Sequence, residues 1–330
     1  MTRSKVVHAR RLRLAGLVVG MTAGATASAQ QRDVLATWSW VDQYYADYAA
    51  MSAAPTGQAM DKWLAHYAPY AFFEDPTAAF FKDSPNGLEG IGRDMIRKAY
   101  VSAFTGPLGP VRWAVQRRVT SGEWVAVEGW VEGTQSGKPA RARFTTWLKI
   151  RRGQIVHQID YIDYAAIERQ VSGKEPVPNA QLSIQATSHE RRHSDRAVQV
   201  SAEFYRRYDA MPDLASQAGI TRFVELLTED FSFEDPTGRL KFDSREKMHA
   251  SLTDALTAGD VKAIHWEVDR RITDGEWVAL EGSVRGVFKG RPFGTRFTTW
   301  LQVRGDKVAR QIDYVDYATF RRLTSPAKVP

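Results

Sequence analysis

The chain has 330 residues, 43% of them hydrophobic and 11% aromatic, with 45 lysines and arginines against 38 acidic residues. That length and apolar content support two packed cores and exclude a chain that is disordered throughout. No cysteine is present, which excludes a disulfide framework, a thiol nucleophile and thiolate metal sites.

The first 29 residues carry a basic start (Arg3, Lys5, Arg10, Arg11, Arg13), an apolar stretch over 14–25 and the small-residue ending Ala27-Ser28-Ala29. This pattern predicts a signal peptide over 1–29, cut after Ala29, and therefore a periplasmic or secreted protein. Gly16, Gly20 and Gly24 break the apolar run, which falls short of the ~20 residues a membrane span needs, so stable membrane insertion is not expected. Arg10-Arg11 leaves the general and the twin-arginine export routes both open. Without the five basic residues the net charge falls from +7 to about +2, and no basic stripe interleaves with aromatics. A nucleic-acid partner is therefore not expected.

Past this leader, apolar residues at helical spacing, Trp38, Val41, Tyr45 and Tyr48, predict a first helix over 34–51. A second helix is expected over 60–67, then a short strand through Phe73-Glu74-Asp75, then a third helix over 93–104. Four strands follow near 113–119, 123–133, 140–150 and 155–164, separated by turns such as Ser121-Gly122 and Arg152-Gly153. The same succession then returns, with helices over 198–211, 221–227 and 244–256. Phe73-Glu74-Asp75-Pro76-Thr77 recurs 160 residues later as Phe233-Glu234-Asp235-Pro236-Thr237. Three further blocks recur at an offset of 153: Gly122-Glu123-Trp124-Val125-Ala126 from Gly275, Arg143-Phe144-Thr145-Thr146-Trp147-Leu148 from Arg296, and Gln158-Ile159-Asp160-Tyr161-Ile162-Asp163-Tyr164 from Gln311. The seven-residue difference is an insertion in copy one around Asp83-Ser84-Pro85-Asn86-Gly87, whose turn chemistry predicts a surface loop.

These boundaries give a first domain over 30–170, a linker over 171–196 marked by Pro176, Pro178 and the charged run Glu190-Arg191-Arg192, and a second domain over 197–325. Helices first and a strand meander afterwards predict an α+β fold, two tandem domains each with about three helices covering one face of a curved antiparallel sheet. The uncovered sheet faces predict that the copies pack sheet against sheet, as an intramolecular pseudo-dimer.

The order of elements, with Glu-Asp-Pro on the first short strand, resembles the nuclear transport factor 2-like superfamily, which includes ketosteroid isomerases, SnoaL-like polyketide cyclases and scytalone dehydratase. The resemblance covers nearly all of the chain beyond the leader and implies cone-shaped domains. In ketosteroid isomerases the general base is the Asp of a Val-Glu-Asp-Pro segment, and the motif matches Asp75 and Asp235. A helix-one Tyr supplies the oxyanion donor there; Tyr45 and Tyr205 are the preferred counterparts, with Tyr48 and Tyr208 one turn later. The family's second oxyanion donor falls at Thr145 and Thr298, although Phe144, Thr146 and Leu148 form the more apolar face and would turn Thr146 inward instead. The closing Asp-Tyr-Xaa-Asp departs from the isomerases and is similar to the acid/base of SnoaL-like cyclases, which implies Asp160 and Asp313, with Asp163 and Asp316 as the alternative pair.

Each of these residues also has a structural reading. Glu74 and Asp75 point to opposite faces of a strand, so at most one lines a pocket, and Asp before Pro is common turn chemistry. The last-strand acids can bond loop amides or Arg143 and Arg296, and Glu128 and Glu281 read as buried ion pairs with those arginines. Trp113, Trp124, Trp147, Trp266, Trp277 and Trp300 can line a cone or pack a core. His66, His157, His249 and His265 neither repeat between copies nor take ligand spacing, and His189 and His193 fall in the linker, so no metal and no cofactor is expected. The functional expectation is a small apolar molecule bound in at least one cone, with cofactor-free isomerase, cyclase or dehydratase chemistry. Asp75 and Asp235 would be general bases, Tyr45 and Tyr205 oxyanion donors, Asp160 and Asp313 accessory acid/bases, and Thr145, Thr298, Trp147 and Trp300 ligand contacts. The alternative is a non-catalytic periplasmic ligand-binding or accessory protein. Ser283 in place of Trp130 and Ser232 in place of Phe72 predict that the two pockets differ.

Overall fold

The computed structural model describes residues 36–80, 87–179, 195–210 and 217–325. The expected signal peptide, the insertion at Asp83-Ser84-Pro85-Asn86 and the middle of the expected linker lie outside the described residues. Contacts divide the chain between Ala46 and Asp47, and both repeated sheets belong to the second unit. The described part of the first unit is helical and belongs to helix α1, 36–53. Along it Trp40 stacks on Tyr44 at 5.9 Å, and Tyr44 meets Tyr45 edge-on at 5.0 Å.

Copy one continues with α2 (Gly57–Leu64), β1 (Tyr67–Asp75), a 3-10 turn (Pro76–Phe80), β2 (Leu88–Ile91) and α3 (Arg93–Thr105). The long strands β3 (Leu108–Ser121), β4 (Trp124–Gln135), β5 (Lys138–Arg151) and β6 (Gln154–Ile162) follow, and α4 (Tyr164–Val171) closes the copy. Copy two repeats this as α5 (Asp195–Ala210), α6 (Gln217–Val224), β7 (Leu227–Asp235), β8 (Leu240–Phe242), α7 (Arg245–Thr257), β9 (Val261–Asp274), β10 (Trp277–Phe288), β11 (Arg291–Arg304), β12 (Lys307–Val315) and α8 (Tyr317–Thr324). The hairpin between β5 and β6 turns on Arg152 and Gly153, with φ of 51° and 73°. A two-residue hairpin needs that doubly left-handed geometry to follow the strand twist.

Each copy is α+β, with helices on a six-stranded sheet ordered β2-β1-β6-β5-β4-β3 and β8-β7-β12-β11-β10-β9. The sheets are mixed and not purely antiparallel as expected, because β1 joins β6 in parallel, with Phe73 opposite Gln158. All of α3, β3, β4 and β5 lies between those two strands, and so long a connection lets the chain re-enter in the parallel sense. A fourth helix ends each copy beyond the expected three. It starts where Asp163 or Asp316 caps it, accepting from the amide of Ala166 at 2.9 Å or Thr319 at 3.0 Å.

The central strands are buried on both faces. In copy two Phe297, Leu301 and Val303 face the helices, in a core with Phe204, Phe223 and Phe231. The opposite faces of the two sheets meet in a second core holding Trp147, Ile159, Tyr161, Trp300, Ile312 and Tyr314. Contacts there are reciprocal. Trp147 donates Nε1–H to Thr298 Oγ1 at 2.9 Å, and Trp300 to Thr145 Oγ1 at 3.0 Å. Tyr161 donates to Glu281 at 3.1 Å and Tyr314 to Glu128 at 2.9 Å, across the same seam. Glu128 is fully buried between Arg117 and Arg143, and Arg143 also reaches Glu234 at 2.9 Å. Glu281 is held by Arg270 and Arg296, and Arg296 also binds Glu74. With two arginines beside it, Glu128 is held below the usual carboxylate range despite its burial.

Candidate active site

The cone of copy one encloses a cavity of about 320 Å³, walled mainly by apolar and aromatic side chains of α1, α3, β1 and β3. Tyr48 stands edge-on to Tyr100 at 5.6 Å, Phe104 at 6.1 Å and Trp113 at 4.9 Å, which organises one wall. Aromatic edge-to-face packing of this kind stiffens a pocket as well as filling it. The titratable side chains on its surface are Asp75, Glu89, Asp160 and the tyrosines Tyr48, Tyr100 and Tyr164; no lysine, arginine or histidine lines it.

Asp75 ends β1 and is 2% exposed. Its Oδ2 accepts from the Tyr164 hydroxyl at 2.6 Å, and its Oδ1 from Thr77 Oγ1 at 2.7 Å and the Ala78 amide at 3.0 Å. The Asp-Pro turn supplies the last two donors, so both the turn reading and the pocket reading of Asp75 hold together. Burial outweighs these donors and pushes its carboxyl up to about 6. Asp160, on β6, is 4% exposed and lines the same cavity. Gln158 Nε2 donates to its Oδ2 at 2.8 Å, whereas Oδ1 is buried with no hydrogen-bond partner. Burial first, and the neighbouring Asp75 charge second, push Asp160 up to about 7. The pair therefore exchanges a proton close to neutrality, with two carboxyls of different hydrogen-bonding capacity.

Copy two carries the same polar residues in a different setting. Tyr317 donates to Asp235 Oδ2 at 2.6 Å, and Thr237 and the Gly238 amide to its Oδ1 at 2.8 and 2.7 Å. Asp313 accepts from Thr299 Oγ1 and Gln311 Nε2, both at 2.8 Å, and Tyr205 donates to Thr299 at 2.8 Å. Every carboxyl oxygen of this pair is satisfied, and burial holds Asp313 up at about 8. The mouth also differs. Where copy one has Gln135, Ala140 and Ile167, copy two has Phe288, Phe293 and Phe320. Phe320 contacts Phe288 at 5.2 Å, Phe293 at 4.9 Å and Tyr317 at 6.2 Å, and Tyr100 and Phe104 are replaced by Leu252 and Leu256, packed on the core.

The structure thus brings Asp75 and Asp160 together in one cone and Asp235 and Asp313 in the other. Tyr205 reaches its acid through Thr299, Tyr48 lines the copy-one cavity, and Tyr45 is buried in the first unit. Thr145, Thr298, Trp147 and Trp300 do not line the cavity. They bond one another between the sheets, because the threonine whose side chain turns to the cone is the next one, Thr146 or Thr299. Asp163 and Asp316 are helix caps. Tyr164, Tyr317, Thr77 and Gln158 were not singled out as site residues, although all stand in repeated blocks that could have marked them. Among the described residues no three His, Asp or Glu side chains gather to hold a metal ion, and no helix is long and apolar enough to cross a membrane.

Comparison with known proteins matches residues 41–158 and 203–311 to the SnoaL-like domain. A search of curated proteins found no match. Among solved structures the chain is similar to a nuclear transport factor 2-like protein from Anabaena variabilis, at 24% identity over 38% of this chain and 93% of that one, TM-score 0.33. It is also similar to an epoxide hydrolase from M. tuberculosis (16% identity, 40% and 92% covered, TM-score 0.33). A third is described as a SnoaL-like polyketide cyclase from Shewanella denitrificans (15% identity, 39% and 97% covered, TM-score 0.34).

Proposed function

The chain belongs to the SnoaL-like domain family, and we propose that its first domain binds a small, largely apolar molecule and moves a proton on it without a cofactor, as an isomerase, cyclase or dehydratase does. The observation that carries this reading is the open copy-one cavity with a buried, unpartnered Asp160 Oδ1 beside Asp75. A base must reach the proton it takes and hold a pKa near the working pH, and Asp160 at about 7 meets the second condition while its free oxygen meets the first. Asp160 takes a proton from a carbon next to a carbonyl, and the C–H pair moves toward the carbonyl oxygen. Asp75, fixed by Tyr164, supplies the second carboxyl, and Tyr48, which lines the cavity, is the donor for the developing charge. The family includes polyketide cyclases, epoxide hydrolases and ketosteroid isomerases, and this chemistry lies within that range.

The second domain serves as the fixed half of an intramolecular pseudo-dimer, with Phe320 packed on Phe288 and Phe293 where copy one has Ile167, Gln135 and Ala140. Its satisfied Asp235–Asp313 pair favours, for that copy, the structural reading of the same residues. The leader over 1–29 supports export to the periplasm or beyond, for which a mature chain beginning at Gln30 is the check. The functional test is Asp160→Asn, which keeps shape and removes the base. Turnover of a carbonyl substrate found by screening the purified protein should fall by roughly two decades or more. Undiminished turnover in the variant would transfer the acid–base role away from Asp160, and binding without any turnover in the wild type would leave a ligand carrier.

A further inference from the structure

Three buried acids of the second unit, Glu74, Glu128 and Glu281, each have an arginine partner. Asp75 and Asp160 have none, because their cone presents three carboxyl groups and not one cationic side chain to its cavity. Burying carboxyls without a counter-charge is costly, and at the three glutamates arginines offset that cost. In copy two the equivalent pair, Asp235 and Asp313, also lacks a cation, but both oxygens of each acid are bonded. In copy one the cavity is open and Asp160 Oδ1 has no partner.

Resting on the reading of this cavity as a ligand site, we propose that it also takes, in competition with a carbonyl substrate, a small organic ammonium ion, an apolar amine whose N–H donates to Asp160 Oδ1 while its carbon skeleton lies against the Tyr48, Tyr100, Phe104 and Trp113 wall. Two features select this class. A protonated amine supplies both the missing donor and the missing positive charge, and the faces of the aromatic rings in the wall attract a cation where an anion would be repelled. The cavity volume of about 320 Å³ lies at the small end of ligand sites, which run from roughly 300 to 1,000 Å³. Among the groups around Asp160, Asp75 on β1 is the charge acting on it, Glu89 on β2 adds a third acid, the tyrosines Tyr164, Tyr48 and Tyr100 share the cavity, and Thr146 on β5 and Gln158 on β6 are the side-chain donors. A cation therefore competes with protons for the carboxyl pair, and its binding strengthens as the pH rises from 6 to 8.

The test uses the whole chain and three probes of one shape: benzylamine, benzyl alcohol and benzoate. Titrated calorimetrically at pH 7.5, benzylamine should bind at least tenfold more tightly than benzyl alcohol, and benzoate should not bind. Asp160→Asn should remove the preference for the amine and keep the alcohol's affinity. Should that variant fail to fold, the wild-type amine-to-alcohol ratio at pH 6 and pH 8 decides in its place, and it should grow with pH. Alcohol binding as tight as the amine, or a ratio that does not change with pH, overturns the ammonium assignment and leaves the cavity a ligand site. Binding of none of the three overturns both.

Discussion

Asp160→Asn should stabilise this protein at alkaline pH, which is an unusual direction for a substitution in a candidate catalytic position. The carboxyl lies at 3.8 in the unfolded chain and at about 7 in the fold, raised first by burial and then by Asp75. A raised acid contributes stability that is fully present below pH 3.8, where both folded and unfolded chains are protonated, and that is lost as the pH climbs through 7. Each pH unit between those values is worth about 1.4 kcal/mol, so the folded chain gives up about 4 kcal/mol at this one residue by pH 8. Asparagine mimics the protonated acid, keeps an oxygen for Gln158 Nε2 and has nothing to ionise. The variant should match or trail the wild type at pH 4 and exceed it at pH 8. In urea, at an m-value of about 3 kcal/mol per M, the midpoint difference should open by roughly 1 M between those pH values. A midpoint difference that stays flat with pH, or a wild type that gains stability as the pH rises, would mean that the folded chain holds Asp160 as a compensated carboxylate, and the case built on its bare Oδ1 would fail.

Phe288→Gln with Phe320→Ile places copy-one residues at the mouth of copy two and should raise the ligand stoichiometry from one to two per chain, read by calorimetry with whichever compound the first cone binds; a stoichiometry still at one would show that Leu252 and Leu256 close the cone deeper down. The accompanying stability loss should be about 3 kcal/mol, the low end for removing buried aromatic volume. At the seam between the sheets, Glu128→Gln strands Arg117 and Arg143 and should cost about 3–5 kcal/mol in denaturant unfolding, while Trp147→Phe removes only the bond to Thr298 and should cost about 1 kcal/mol. Neither residue lines the cavity, so ligand affinity measured on the folded variants should not move.

The tandem α+β fold was legible because four blocks recur in order, and a repeat that preserves Gln158-Ile159-Asp160-Tyr161 alongside Gln311-Ile312-Asp313-Tyr314 fixes which strands correspond. The facing of β5 was legible only in part. Both faces of this strand are buried, one under helices and one against a second sheet, so the position matched from the family indicated Thr145, while the alternation of Phe144, Thr146 and Leu148 turned Thr146 inward, as the structure has it. Tyr164 was not legible for a different reason: it is the first residue of α4, two residues past the end of β6, and its hydroxyl returns to Asp75 across 89 residues.

What sets the two cones apart lies in the positions that do not repeat, and these carry the functional argument. Matched residues report what every copy of the fold requires; unmatched ones report what each copy is used for. Tyr67 donates to Gln158 Oε1 at 2.6 Å and so turns the amide to present Nε2 to Asp160. Leu227 occupies that position in copy two, and Gln311 Oε1 is left buried without a partner. At these matched positions the unsatisfied acceptor thus falls differently, on Gln311 in copy two and on the carboxyl of Asp160 in copy one. An unpaired acceptor facing packed side chains is only a cost of about 1–3 kcal/mol, whereas one facing a cavity of 320 Å³ is a place for a donor that the protein itself does not supply.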